Sequence, residues 1–182
     1  MTPVRPKVVG LDLAAEQSGL ALPDGATETI VAPNVKGKRT LVDDLARMDL
    51  IQAHVYDVLF RLKPDMLVLE DYAASLRSAA AHRLAEISGN IRLACWRSGA
   101  TLALVNVKHL KIYATGSGDA TKSQMATAAL KRAGLEFSTE DECDAAWLRW
   151  LGLDLLGVPS FPLPNSHRRI LRDVKLAERR AA

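Results

Sequence analysis

Cysteine is nearly absent: Cys95 and Cys143 are the two in a chain of 182 residues. Neither sits in a metal-binding or redox spacing, so a reducing cytoplasm is the expected compartment. Long apolar runs are missing as well. The longest are too short to span a bilayer, which excludes a helical membrane segment. Residues 1–7 (MTPVRPK) lack the apolar stretch and small-residue cleavage site of a secretion signal. There is no internal repeat, no low-complexity tract and no linker-like stretch before Gly157. What remains is 48% hydrophobic and 25% charged, an ordinary globular composition with enough length for one sizeable core.

The net charge of +3 is unevenly placed. Residues 167–182 hold six basic groups (Arg168, Arg169, Arg172, Lys175, Arg179, Arg180) against Asp173 and Glu178, and the other 166 residues carry 18 basic and 19 acidic groups. The basic excess therefore belongs to the C-terminus, where it reads as a solvated terminal helix or as a contact for a phosphate backbone.

Hydropathy patterning orders the chain. Lys7–Leu13 (KVVGLDL) reads as a buried strand. Ser18–Leu22 and Thr27–Ala32 flank Pro23-Asp24-Gly25, which is hairpin chemistry. Thr40–Leu62 has helical period and stops at Lys63-Pro64. Asp65–Glu70 is a second buried strand, Ser75–Arg97 an Ala-rich helix, and Thr101–Val107 a fifth strand. A short helix to Ala114 follows, then a Gly-containing loop, a helix from Thr121 to about Arg132, and a last core helix opened by Ser138 or Thr139 and running through Leu151. The expected fold is α/β. A three-strand antiparallel meander is joined by parallel strands into a mixed five-stranded sheet, with helices on both faces. Residues 1–157 form the expected domain, and 158–182 a Pro-containing segment and basic tail.

Two buried strands more than fifty residues apart each end in an acid, Asp12 and Glu70. In such sheets the C-terminal ends of parallel strands are where ligands bind. Asp141 and Asp144 are three apart on the last core helix and share a face. Singly, each acid has an ordinary structural explanation, such as a strand-end cap, a surface ion pair or first-turn placement against the helix dipole; Thr139-x-x-Glu142 also fits a capping box. Four converging carboxylates, however, repel one another unless a cation intervenes, and their hard oxygens suit Mg²⁺ or Mn²⁺. Two such ions can hydrolyse a phosphodiester. Lys122 lies in the first turn of a helix, where a cation is electrostatically poor unless it faces an anion. A phosphate at that helix start fits, and so does an ordinary exposed lysine.

At this point the residues resemble a known family, the RuvC-type Holliday junction resolvases of bacteria and their phages. Val8-Val9-Gly10-Leu11-Asp12 followed by Ser18-Gly19-Leu20-Ala21 resembles the family's first strand and turn. Leu69-Glu70-Asp71-Tyr72 resembles its second acidic motif. Val107-Lys108 with Gly116-x-Gly118-x-Ala120-x-Lys122-Ser123-Gln124 resembles its lysine-bearing segment, and Asp141-x-x-Asp144-Ala145-Ala146 its closing aspartates. The ordered set spans about Lys7 to Leu153 and is far more specific than any one motif.

The resemblance implies an RNase H-like fold and a metal-dependent endodeoxyribonuclease that nicks four-way junctions as a homodimer, leaving 5′-phosphate and 3′-hydroxyl ends. Asp12, Glu70, Asp141 and Asp144 would hold two Mg²⁺, with Mn²⁺ able to substitute. Lys122 would contact the scissile phosphate, and Lys108 would support the same strand. Tyr72 is the nearest counterpart of the family's junction-centre aromatic. Arg77, Arg83, Lys111 and Lys131 are further backbone contacts read from charge alone. Leu13-Ala14-Ala15 replaces the family's usual Pro-Gly after the first aspartate. A broader fork- or flap-cutting nuclease and a non-catalytic junction binder are the alternatives. An actin-like ATPase or sugar kinase, which shares the core fold, needs two such domains.

Overall fold

The computed structural model describes residues 5–14, 16–33, 35, 37, 39–71 and 79–178. Strands β1 (Val8–Asp12), β2 (Gln17–Ala21) and β3 (Thr27–Val31) form the antiparallel meander. Its hairpin turn is held by the Asp24 carboxylate, which accepts from the Ala26 N–H at 3.0 Å. Helix α1 (Leu41–Asp57) starts at a capping box: Thr40 Oγ1 accepts from the Asp43 N–H, and the Asp43 carboxylate accepts from the Thr40 N–H at 2.7 Å. It runs into a π turn (Val58–Leu62) that ends at Lys63 in the left-handed region, so the predicted single helix is two segments. Strand β4 (Met66–Glu70), helix α2 (Ala79–Ser98) and strand β5 (Thr101–Val105) follow. The predicted start of α2 at Ser75 lies outside the described residues.

Helices α3 (Val107–Thr115), α4 (Lys122–Ala133) and α5 (Glu140–Leu155) complete the predicted order. Asn106, Thr121 and Thr139 cap them through side-chain oxygens, which satisfy otherwise orphaned N–H groups. α5 extends past the expected end at Leu151. Its Trp147, Leu148 and Leu151 are buried in the core, where packing carries the helix onward.

The sheet order is β3-β2-β1-β4-β5-β6, so the sheet has six strands and not the five expected. The sixth, β6 (Lys175–Ala177), pairs antiparallel with β5, matching Leu102 to Ala177 and Leu104 to Lys175. Before it come α6 (Asn165–Arg168) and a 3-10 turn (Arg169–Asp173). A three-residue strand opening on lysine carries too little apolar alternation to be visible in sequence; its partner strand supplies the pattern. Among the described residues, no helix is long and apolar enough to cross a membrane.

Strand parity divides the core. Val8, Met66, Val68, Ala103 and Val105 face α3, α4 and α5, where Trp147 and Trp150 stack edge-to-face. Val9, Leu11, Leu67, Leu69 and Leu102 face α1 and α2. Gly10 and Gly19 explain how α5 lies so close to the first face. A Cβ on Gly10 would sit 2.1 Å from the Ala145 carbonyl oxygen, and one on Gly19 would sit 1.9 Å from that of Asp141. Only hydrogen fits at either position, and the first turn of α5 is thereby laid directly over β1 and β2.

Candidate active site

β1 and β4 are parallel neighbours whose register pairs Leu11 with Leu69. That leaves Asp12 and Glu70 side by side at the C-terminal ends. Alternation along each strand puts both on the α5 face, in line with Val8 and with Met66 and Val68. The Asp141 backbone rests on Gly19, the register partner of Asp12, so the start of α5 brings Asp141 and Asp144 over the same strand ends. Lys122, the first residue of α4, donates its ammonium to Asp144 Oδ2. The Gln17 side chain, at the start of β2, favours the ionised form of Asp141.

The electrostatics are those of a site crowded with like charge. Burial pushes the Asp12 carboxyl well above its ordinary range, and the Glu70, Asp144 and Asp141 carboxylates push it further, against Lys122. Glu70 is raised to about 7 by burial and then by Asp144, with Lys122 and Lys111 opposing. Burial raises Asp144 despite its Lys122 partner, and it raises Asp141 as well. For Lys122 burial works against the charge, yet Asp144, Asp12 and Asp141 outweigh it and hold the ammonium more firmly protonated than usual. Lys122, with Lys111 more distant, against four carboxyl groups leaves a deficit of positive charge.

The donor set fits a hard cation. Asp144 Oδ1 is buried with no hydrogen-bond partner, an expensive state for a carboxylate oxygen unless something positive completes it. Among the described residues no three acids are drawn into a ready-made metal shell. Lys122 takes one Asp144 oxygen in the arrangement seen.

A family model settles the resemblance. The crossover junction endodeoxyribonuclease RuvC model matches residues 8–146, from the first residue of β1 to two residues past Asp144. The chain belongs to the RuvC family. A curated relative, the crossover junction endodeoxyribonuclease RuvC of Colwellia psychrerythraea, is 31% identical over 84 residues, which is 46% of this chain and 48% of that protein. The chain thus spans about half the length of this curated relative. Thermus thermophilus RuvC superposes with a TM-score of 0.61 at 20% identity, covering 86% of this chain and 99% of that one. The structure of T. thermophilus RuvC in complex with a Holliday junction substrate gives 0.63 at 20% identity, covering 79% and 90%. The yeast mitochondrial Holliday junction resolvase Ydc2 gives 0.50 at 12% identity, covering 94% and 86%. These likenesses carry the RuvC, RNase H-like fold.

Within that fold the structure gathers Asp12, Glu70, Lys122, Asp141 and Asp144, as the sequence predicts. Lys108 is not among them: it is exposed in the first turn of α3, and Lys111, one turn later, is the α3 lysine that acts on Glu70 and Asp144. The two share a helical face, so spacing alone could not separate them. Arg83 lies toward Asp44 of α1, 3.7 Å away, on the opposite side of the sheet from the acids. Tyr72 and Arg77 lie outside the described residues. Glu142 has a role that sequence did not show. Thr139 Oγ1 caps the Glu142 N–H at 3.1 Å, but the carboxylate does not return to complete a capping box. It accepts instead from Thr29 at 2.7 Å, from Thr27 at 3.1 Å and from the Ser138 N–H at 3.3 Å, fastening the first turn of α5 to β3.

Proposed function

We propose that this chain is a divalent-metal-dependent endodeoxyribonuclease that nicks four-way DNA junctions, leaving 5′-phosphate and 3′-hydroxyl ends. The observation that carries this reading is the convergence of Asp12, Glu70, Asp141 and Asp144, each with its proton held too tightly, around the ammonium of Lys122. Membership of the RuvC family and the likeness to a RuvC solved with a junction support the substrate.

The four acids would hold two Mg²⁺ ions, with Mn²⁺ able to substitute. When bound, such ions supply Lewis-acid activation of the attacking water and of the leaving 3′-oxygen. The chain's own part is positioning and charge. The strand ends hold Asp12 and Glu70 on rigid backbone. Gly10 and Gly19 let α5 bring the two aspartates to them. Lys122, which pairs with Asp144 in this structure, would place its ammonium at the scissile phosphate, where its charge would stabilise the pentacoordinate transition state. Lys111 lowers the cost of ionising Glu70.

A junction is cut symmetrically when two such sites face opposite strands, which a homodimer provides. Leu93 and Trp96 of α2, each 44% exposed, give that helix an apolar outer surface for self-association. The test is cleavage of a labelled four-way junction beside linear, fork and flap controls, in Mg²⁺, Mn²⁺ or EDTA, with Asp144→Asn as the comparison. Paired, metal-dependent nicks lost in the variant support a resolvase. Equal cutting of forks and flaps identifies a general debranching nuclease. Binding without cleavage in either metal refutes catalysis, and a monomeric mass with full activity refutes the dimer.

A further inference from the structure

Residues beyond 146 lie outside the segment that matches the family, yet the stretch to Ala177 is folded onto the core. Arg168 grips the buried Asp154 carboxylate in a fork, with Nη2 2.6 Å from Oδ1 and Nε 2.9 Å from Oδ2. His167 Nδ1 lies 3.0 Å from the Tyr113 carbonyl oxygen, and Ile170 is buried against the core. This anchoring delivers β6 to the sheet edge. Among the described residues, three basic groups of the C-terminus face acids of the same chain: Arg168 on Asp154, Lys175 on Asp71, and Arg172 on the adjacent Asp173.

The Lys175 contact sits beside the catalytic acids. Lys175 pairs in register with Leu104 of β5, and its ammonium crosses that strand to lie 2.6 Å from Asp71 Oδ2. The other Asp71 oxygen accepts from Arg92 Nη2 of α2 at 3.2 Å. The Asp71 N–H donates to the Val105 carbonyl at 2.7 Å, and Val105 is the register partner of Glu70. The residue directly after Glu70 is therefore held from α2, β5 and β6 at once. Asp71 follows Glu70 on extended backbone, so its side chain projects to the α2 face and away from the carboxylate site. Lys175 thus acts on Glu70 through the backbone alone.

We propose that Lys175 of β6 is a positioning residue: by holding Asp71 it fixes the end of β4 and so the direction in which Glu70 meets the metal and the phosphodiester. The inference rests on the nuclease reading for its consequence in cleavage, and on the geometry for its consequence in metal binding. It assigns this part of the C-terminus to the site's architecture, where charge alone suggested a contact with DNA.

The test compares wild-type protein with Lys175→Met, Lys175→Arg, Asp71→Asn and the Lys175→Met/Asp71→Asn double variant. Mn²⁺ binding to the full chain is read by calorimetry, single-turnover cleavage of a four-way junction is read at fixed Mn²⁺, and junction binding is read in EDTA. Melting curves confirm that each variant is folded, which the solvent exposure of Lys175 favours. Lys175→Met is expected to weaken Mn²⁺ binding about tenfold, as loss of a group supporting a metal ligand does. The cleavage rate should fall by a similar factor, with binding in EDTA unchanged and Lys175→Arg restoring most of both. Asp71→Asn, which also weakens the Arg92 contact, should lose at least as much, and the double variant should be no worse than Asp71→Asn, because it removes no further contact.

Wild-type Mn²⁺ binding in Lys175→Met overturns the proposal, as do additive losses in the double variant. So does a weaker junction affinity with a salt slope reduced by about one and an intact rate, the mark of a phosphate contact. If wild-type protein cuts no branched DNA, the nuclease reading fails while the calorimetric comparison still decides the role of Lys175. Absence of Mn²⁺ binding by the wild type overturns both.

Discussion

Replacing Glu70 by glutamine should make the metal-free protein more stable while removing its activity. Burial and the neighbouring Asp144 carboxylate raise the folded-state pKa of Glu70 from 4.5 to about 7. A raised acid contributes stability when protonated. That contribution is full below the unfolded value near 4.5 and is lost as pH rises through about 7. At pH 8 the folded state must carry an ionised, half-sheltered carboxylate, and the shift corresponds to about 3 kcal/mol of lost stability. At pH 5 most of the folded population keeps the proton, and the deficit shrinks to about 1 kcal/mol. Glutamine has the shape of the protonated acid and no charge to lose. In EDTA, Glu70→Gln should therefore exceed wild type by about 3 kcal/mol at pH 8 and by about 1 kcal/mol at pH 5, read as urea midpoints with unchanged slopes. Adding Mn²⁺ at pH 8 should stabilise the wild type and close the gap, because the ion binds only the folded ionised site. A variant that is less stable than wild type at pH 8, or a difference that does not change between the two pH values, would refute the account of the site as electrostatically frustrated.

Three further outcomes follow from the same geometry. Lys122→Met should lower single-turnover junction cleavage about 10²-fold or more while leaving junction binding in EDTA nearly intact if, as proposed, its charge acts where the phosphate is attacked; a drop in binding alone would make Lys122 a simple backbone contact. Gly19→Ala should cost about 3 kcal/mol in urea melts, because the new Cβ meets the Asp141 carbonyl at 1.9 Å and backbone must move; wild-type stability would show that α5 is not seated on β2. Thr29→Val should cost about 2 kcal/mol by removing the 2.7 Å hydroxyl donor from the Glu142 carboxylate, and an unchanged melt would show that Thr27 and Ser138 suffice.

Much of this site is readable before folding. Asp12 and Glu70 each close a run of buried β-branched and leucine residues, and strand parity then fixes their face. The Asp141-x-x-Asp144 spacing puts two acids on one side of any helix, and Thr121 and Thr139 mark where α4 and α5 must start. These are properties of local backbone geometry, which a few neighbouring residues determine. The mixed sheet with helices on both faces follows from the order of such segments.

Other features depend on which segments meet. Lys108 and Lys111 are equivalent by helical period, and only the seating of α3 against α4 and α5 turns Lys111 toward Glu70 and Asp144. Glu142 looks like half of a capping box until β3 supplies two hydroxyls that compete for its carboxylate. Gly10 and Gly19 are unremarkable in a strand until a helix backbone arrives at a distance no side chain tolerates. The C-terminus reads as a basic tail, because charge is local and its partners are not: Asp154 and Asp71 lie 14 and 104 residues away along the chain from Arg168 and Lys175. The sequence alone thus determined where the acids sit on their own strands and helix. Tertiary packing decided which cations neutralise them, how closely they converge and that Lys175–Ala177 becomes a sixth strand, because those outcomes depend on contacts between residues that no local period connects.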